Sequence, residues 1–187
     1  MTLAHHSLLA LICLCAFSAS AQADNNPTPA PLSTIATLNV PRYLGTWYEI
    51  AKYPNWFQKK CVANTNANYQ LKSDGSLEVV NRCQLKNGEV STAIGNAKQI
   101  GLAASAKLKV RFAPAWLSFI PAVWGDYWVI DLDDHYQVAV VSEPKREYLW
   151  ILSRTPSVDA KVYAELLARL GKKGFDLSKL EVTKQDK

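Results

Sequence analysis

The side chains with reactive chemistry are few in this chain, and they are scattered. Beyond residue 23 there is one histidine, His135, and only two cysteines, Cys61 and Cys83. A zinc centre needs three or four ligands at close spacing, and an activated nucleophile needs an oriented base beside it. Neither pattern occurs, nor does Gly-x-Ser-x-Gly or a phosphate-binding glycine loop. Glu49 is the oddest acid, set among Trp47, Ile50 and Ala51 on a stretch that reads as half-buried strand. Ionised and unpaired in an apolar interior it would be costly, so it is expected to be hydrogen-bonded, protonated or in contact with a polar ligand group. A carboxylate pair with Glu147 can be drawn, but nothing in the sequence brings the two together. The residues argue for a binding protein rather than an enzyme, with no cofactor and no metal.

The chain has 187 residues, 49% apolar and 20% charged, with a net charge of +5. That suits one well-cored domain. Lys and Arg form no long run, which argues against nucleic acid and leaves an acidic ligand group or an anionic membrane surface open. Leu8–Phe17 is apolar and too short to span a bilayer, and Ala21-Gln22-Ala23 offers a signal-peptidase site, so residues 1–23 read as a signal peptide. Residues 24–39, with Pro27, Pro29 and Pro31, read as a linker, and 40–187 as the domain. In an exported chain the remaining cysteines, Cys61 and Cys83, read as one disulfide, with two buried thiols as the alternative.

What must position these residues is a run of short strands. Thr46–Tyr53, Val62–Lys72, Ser76–Gln84, Val90–Ala97, Ala106–Phe112, Asp126–Leu132, Tyr136–Ser142 and Tyr148–Arg154 alternate with turn signals, Asp74-Gly75 and Asn87-Gly88 among them. Eight strands with mostly short connections predict an all-β, up-and-down antiparallel barrel, closed and without free edges. After Pro156, Val162, Tyr163, Leu166, Leu167 and Leu170 recur at helical spacing. They predict a C-terminal helix on the barrel wall, with Ser157 as cap and Gly171 and Gly174 at its end, then a short strand over Leu180–Thr183.

In a closed meander Trp47, Arg154 and the turn holding Asp133 and Tyr136 meet at one end, which predicts an Arg over an indole face as a plug. Gly45-Thr46-Trp47-Tyr48-Glu49-Ile50-Ala51, Asp133 with Tyr136, and Leu149-Trp150-Ile151-Leu152-Ser153-Arg154 strongly resemble the three signature regions of the lipocalins. Arg42–Pro54 and Arg146–Pro156 look like the bacterial (Blc-like) branch, related to apolipoprotein D. The resemblance implies the lipocalin fold, binding of fatty acids, lysophospholipids or similar lipids, and a place in the bacterial envelope. Several such relatives look like outer-membrane lipoproteins. Here Ile12 and Leu14 precede Cys13 and Cys15 where small residues are expected, so soluble export to the periplasm is favoured over a lipid anchor.

The open end carries Trp56 and Phe57 in one connection and Trp116, Leu117, Phe119 and Trp124 in the longest one, Ala113–Gly125. So apolar a loop reads either as a lid or as a surface for a membrane or partner. Lys59, Lys60, Lys86, Lys145 and Arg146 share that end, which suits an acyl chain inside and an anionic head group at the rim. Alternation from Trp47 puts Glu49, Ala51, Tyr53, Ala67, Tyr69, Val79, Asn81, Val110, Phe112, Tyr127, Tyr148 and Trp150 inward, and with Trp56 and Trp116 these are the expected ligand contacts. The oligomeric state stays open, a dimer included.

Overall fold

The computed structural model describes residues 30–186. Strands β1 (Gly45–Lys52), β2 (Cys61–Leu71), β3 (Leu77–Leu85), β4 (Val90–Gln99), β5 (Lys107–Arg111), β6 (Gly125–Leu132), β7 (Val138–Ser142) and β8 (Leu149–Ser153) follow the predicted spans within two residues. Each pairs antiparallel with the next, and β1 pairs with both β2 and β8, so the sheet closes on itself. The expected eight-stranded barrel is present. Two of its tight turns rest on glycines in the left-handed region, Gly75 (φ 79°) and Gly88 (φ 85°), a conformation that costs other residues more.

Helix α2 (Ala160–Lys172) follows β8. Asp159 caps it rather than Ser157, its carboxylate accepting from the N–H groups of Lys161 and Val162 at 2.9 and 3.1 Å. Asp bonds the free amides and also suits the positive helix end. The helix runs through Gly171, and Gly174 (φ 83°) forms the turn that ends it. Leu166 and Leu170 are buried against Ile130, Val140, Leu149 and Ile151 on the outer wall, worth about 1.5–3 kcal/mol per side chain. Arg169 adds a two-pronged clamp onto Asp131 of β6, both contacts at 3.0 Å. Val162 stays 43% exposed, so the apolar stripe begins at Tyr163, which packs against the same cluster.

One expectation about the domain boundary changes. The segment read as a linker is part of the domain from Ala30 onward: Leu32 and Leu38 are buried, and Ile35 and Leu38 donate backbone hydrogen bonds to Val129 and Ala104. A short helix, α1 (Val40–Tyr43), then crosses the closed end and leads into β1. Burying Leu32 and Leu38, with Ile35 half-buried beside them, outweighs the proline content of the segment. Residues 24–29 and the expected signal peptide, 1–23, lie outside the described residues.

The final strand, β9 (Glu181–Val182), pairs with β1 at Ala51 and Lys52, where β2 has turned away. Thr183, Lys184 and Gln185 continue along the gap, with Thr183 N–H donating to Ile50 and Asn64 N–H to Lys184. The C-terminal segment thus fills the split between β1 and β2.

Candidate ligand-binding site

At the closed end the guanidinium carbon of Arg154 sits 4.0 Å above the centre of the Trp47 ring. Arg154 also donates to the carbonyls of Thr46, Arg42 and Tyr136 at 2.9, 2.8 and 3.3 Å. Trp47 is fully buried and donates from its indole N–H to the Tyr43 carbonyl. Asp133 accepts from the N–H groups of His135, Gln137 and Val138, which holds the turn in shape and leaves Tyr136 at φ 60°. The Tyr136 hydroxyl then accepts from Asn39 N–H. The expected plug is formed as read from the sequence.

Directly paired residues share a face, so the register itself defines the inner wall. One row runs Trp47–Ala67–Asn81–Ala93, and another Gly45–Tyr69–Val79–Gly95. Val110 pairs with Ala97, Tyr127 with Leu108, Val129 with Val141, and Trp150 with Val141. Ala67, Asn81, Val110, Tyr127 and Trp150 keep part of their surface accessible, and Ala93 is exposed. Accessible surface on the inner face is where a guest molecule would make contact. Phe112 lies over Gly95 near the rim: a Cβ at Gly95 would meet its ring at 2.7 Å, so only glycine lets the ring lie there.

The strict alternation fails at one place. Glu49 pairs with Leu152 and faces inward, but a bulge follows, and Ala51 aligns with Ile151 instead. One extra residue flips the phase of everything after it. Ala51 and Tyr53 therefore point outward, buried under α2 and Phe175, with the Tyr53 hydroxyl donating to the Asp176 carbonyl. They are not pocket residues. Lys52 takes the inward phase beside Trp150, and its ammonium pairs with Glu181 at 2.8 Å.

Glu49 is 3% exposed and hydrogen-bonded. Gln58 donates to one carboxylate oxygen at 2.7 Å and Thr183 to the other at 2.6 Å. The Gln58 amide is itself oriented, since its oxygen accepts from Trp150 Nε1 at 3.0 Å and from Asn55 at 2.6 Å. The network ties the first mouth connection, the inner wall and the C-terminal segment together. Burial pushes the Glu49 carboxyl above its ordinary range, against the opposing pull of Thr183, Gln58 and Lys52.

Tyr148 stacks on Trp150 at 5.8 Å, and Phe57 lies 5.8 and 6.2 Å from the two rings. Trp56 is 72% exposed, touching Phe57 edge-on. In the long connection Trp116 and Phe119 are 72% and 76% exposed. Most of each ring faces solvent, which favours a contact surface over a lid for these side chains. Arg146 is not free at the rim: it donates to the carbonyls of Lys173 and Ala30. The disulfide joins Cys61 and Cys83 at the open end, Cα atoms 5.5 Å apart.

A family model described as "Lipocalin-like domain" matches residues 38–185. The chain belongs to the lipocalin family. It is similar to temperature-induced lipocalin-1 of Arabidopsis thaliana, 43% identical over 82% of this chain and 83% of the relative. Outer membrane lipoprotein Blc of Escherichia coli K12 is 39% identical over 84% and 85%. Apolipoprotein D of Macaca fascicularis is 32% identical over 78% and 76%. Among solved structures, insecticyanin from Manduca sexta superposes with a TM-score of 0.66 at 18% identity, covering 86% of this chain and 87% of that one. That likeness speaks to the fold alone.

Sequence reasoning missed Lys52, Asn55, Gln58, Thr183 and Tyr43 in this lipocalin. Lys52 was hidden by the bulge, which has no signature in Glu49-Ile50-Ala51. Gln58 and Thr183 lie outside the barrel strands, where alternation says nothing. Only the odd acid Glu49 signalled that polar partners had to exist.

Proposed function

We propose that this lipocalin binds and carries a hydrophobic or amphipathic small molecule, a fatty acid or lysophospholipid, in the cell envelope. What supports this reading is the inner wall, where Ala67, Asn81, Ala93, Val110 and Tyr127 keep accessible surface on the face that the closed ring of strands turns inward. An acyl chain against that wall leaves water at roughly 0.8 kcal/mol per methylene, enough to outweigh the cost of association for a long chain. Its head group would lie among Lys59, Lys60, Lys86 and Lys145. The resemblance to outer membrane lipoproteins supports export, to the periplasm or the outer membrane.

A second reading, docking on a membrane or partner, is favoured by the exposure of Trp56, Trp116 and Phe119. It is compatible with carriage. Displacement of a fluorescent fatty acid separates the two. Carriage predicts that Trp116→Ser leaves displacement unchanged while weakening sedimentation with anionic vesicles. If Trp116→Ser removes both, or the probe never binds, the interior is not the binding site.

A further inference from the structure

Strand pairing lines up Glu78 of β3, Asn96 of β4 and Arg111 of β5 in one row. Asn96 and Arg111 alternate with Ala97 and Val110 of the inner wall, so the row lies on the outside of the barrel. A groove of about 320 Å³ opens there. These three residues and Lys72 line it, and Phe112 and Pro114 bound it where β5 runs into the long connection.

Arg111 is only 8% exposed. A guanidinium so buried ordinarily meets a carboxylate, because an unpaired charge out of water is costly. Lys109 on the same strand is paired in this way, with Asp126 at 2.8 Å. Arg111 has no carboxylate within ion-pair distance among the described residues. One terminal nitrogen donates to the Ala113 carbonyl, and Nε is buried without any partner. The Trp124 ring lies 5.2 Å from the guanidinium carbon, and the Lys98 ammonium lies 4.5 Å from the same ring. The indole holds the guanidinium in place but does not neutralise it. The edge formed by Nε and the other terminal nitrogen, the edge with which Arg169 grips Asp131, has no acceptor. Donors left in this way cost stability until an acceptor meets them, and the planar edge suits an oxyanion.

We propose that this groove is a second binding site, on the outer wall, for a small zwitterion of the phosphoethanolamine type. Its phosphate oxygens meet Arg111, and its ammonium lies between the Glu78 carboxylate and the carboxamide oxygen of Asn96. The Asn96 amide nitrogen is already turned to Ser76 Oγ at 3.0 Å, which leaves that oxygen as the free acceptor. Lys72 does not neutralise Glu78: its ammonium is 4.0 Å from Asp74. Neighbouring strands stand about 4.8 Å apart, so the backbones at Glu78 and Arg111 are about 10 Å apart. An α-amino acid holds its opposite charges too close together to reach both residues. The two-carbon bridge of phosphoethanolamine spreads them along the row. Inorganic phosphate meets Arg111 alone and is repelled by Glu78. The site lies outside the barrel, so it stands whether or not the interior carries a guest.

The test is titration calorimetry of the folded protein with phosphoethanolamine and, separately, with inorganic phosphate, each with and without one equivalent of a long-chain fatty acid. Phosphoethanolamine should bind about 10-fold tighter than phosphate, the yield of one hydrogen bond to a charged group. The fatty acid should change neither affinity. Glu78→Gln, at a half-buried surface position, should erase the preference while phosphate binds as well as before or better. Arg111→Gln should remove both. Equal affinities in the unaltered protein, a preference that Glu78→Gln leaves intact, or no binding at all overturns the site, whether or not Arg111→Gln folds. Competition from the fatty acid would place the zwitterion inside the barrel and equally overturn it. Sedimentation with vesicles containing phosphatidylethanolamine, lowered by Glu78→Gln, identifies a membrane head group as the source. Binding of the free compound without such sedimentation identifies a soluble one.

Discussion

Glu49 accepts two hydrogen bonds in a place from which water is excluded, and burial is the larger influence on its titration. Its folded-state pKa therefore lies above the unfolded one, and the folded protein takes up the proton more readily. The stabilisation from that uptake is complete below the ordinary glutamate range and is lost as pH rises through the raised value. Glu49→Gln fits the same space: its oxygen can face Gln58, and its NH2 can donate to Thr183 with that hydroxyl turned. Urea midpoints measured across this window should fall with rising pH in the unaltered protein relative to Glu49→Gln. Parallel curves would show that Glu49 titrates normally. At the other end of the barrel, Arg154→Ala removes a stacked cation and three carbonyl contacts at once. A loss of about 2–4 kcal/mol in denaturant unfolding is expected, with little recovery in Arg154→Lys, whose single ammonium cannot span three acceptors.

Elements were legible where period and turn chemistry agreed. The strand spans followed from alternation and from Asp74-Gly75 and Asn87-Gly88, and the plug followed from topology alone. The bulge after Glu49 was not legible, because a bulge is a property of pairing rather than of composition, and it moved Ala51 and Tyr53 out of the pocket. Residues 30–39 were misread for a related reason: prolines signal an extended chain but not whether that chain has a surface to lie on. The cysteine pair was read correctly from its number and from strand position. Cys61 and Cys83, separated by 22 positions, close a loop whose removal in Cys61→Ser with Cys83→Ser should cost about 3 kcal/mol by chain entropy, read as a lowered denaturation midpoint under non-reducing conditions. An unchanged midpoint would mean that the β2–β3 pairing already restrains the unfolded chain.

For the molecule as a whole, charge and apolar surface are unevenly placed. Asp74, Asp133 and Asp134 lie in turns at the plugged end, while lysines and exposed aromatics surround the opening. An amphiphile approaching that end meets cations and indoles first, then an inner wall that is apolar except for Asn81 and the tyrosine hydroxyls. The account's central claim is that the space inside the closed barrel takes one such molecule. Native mass spectrometry of the delipidated protein incubated with a long-chain fatty acid reads this directly. One bound acid per chain is expected, and none in Ala67→Trp, whose indole would occupy the inner wall. Absence of any adduct, or several adducts that Ala67→Trp leaves intact, would contradict the claim.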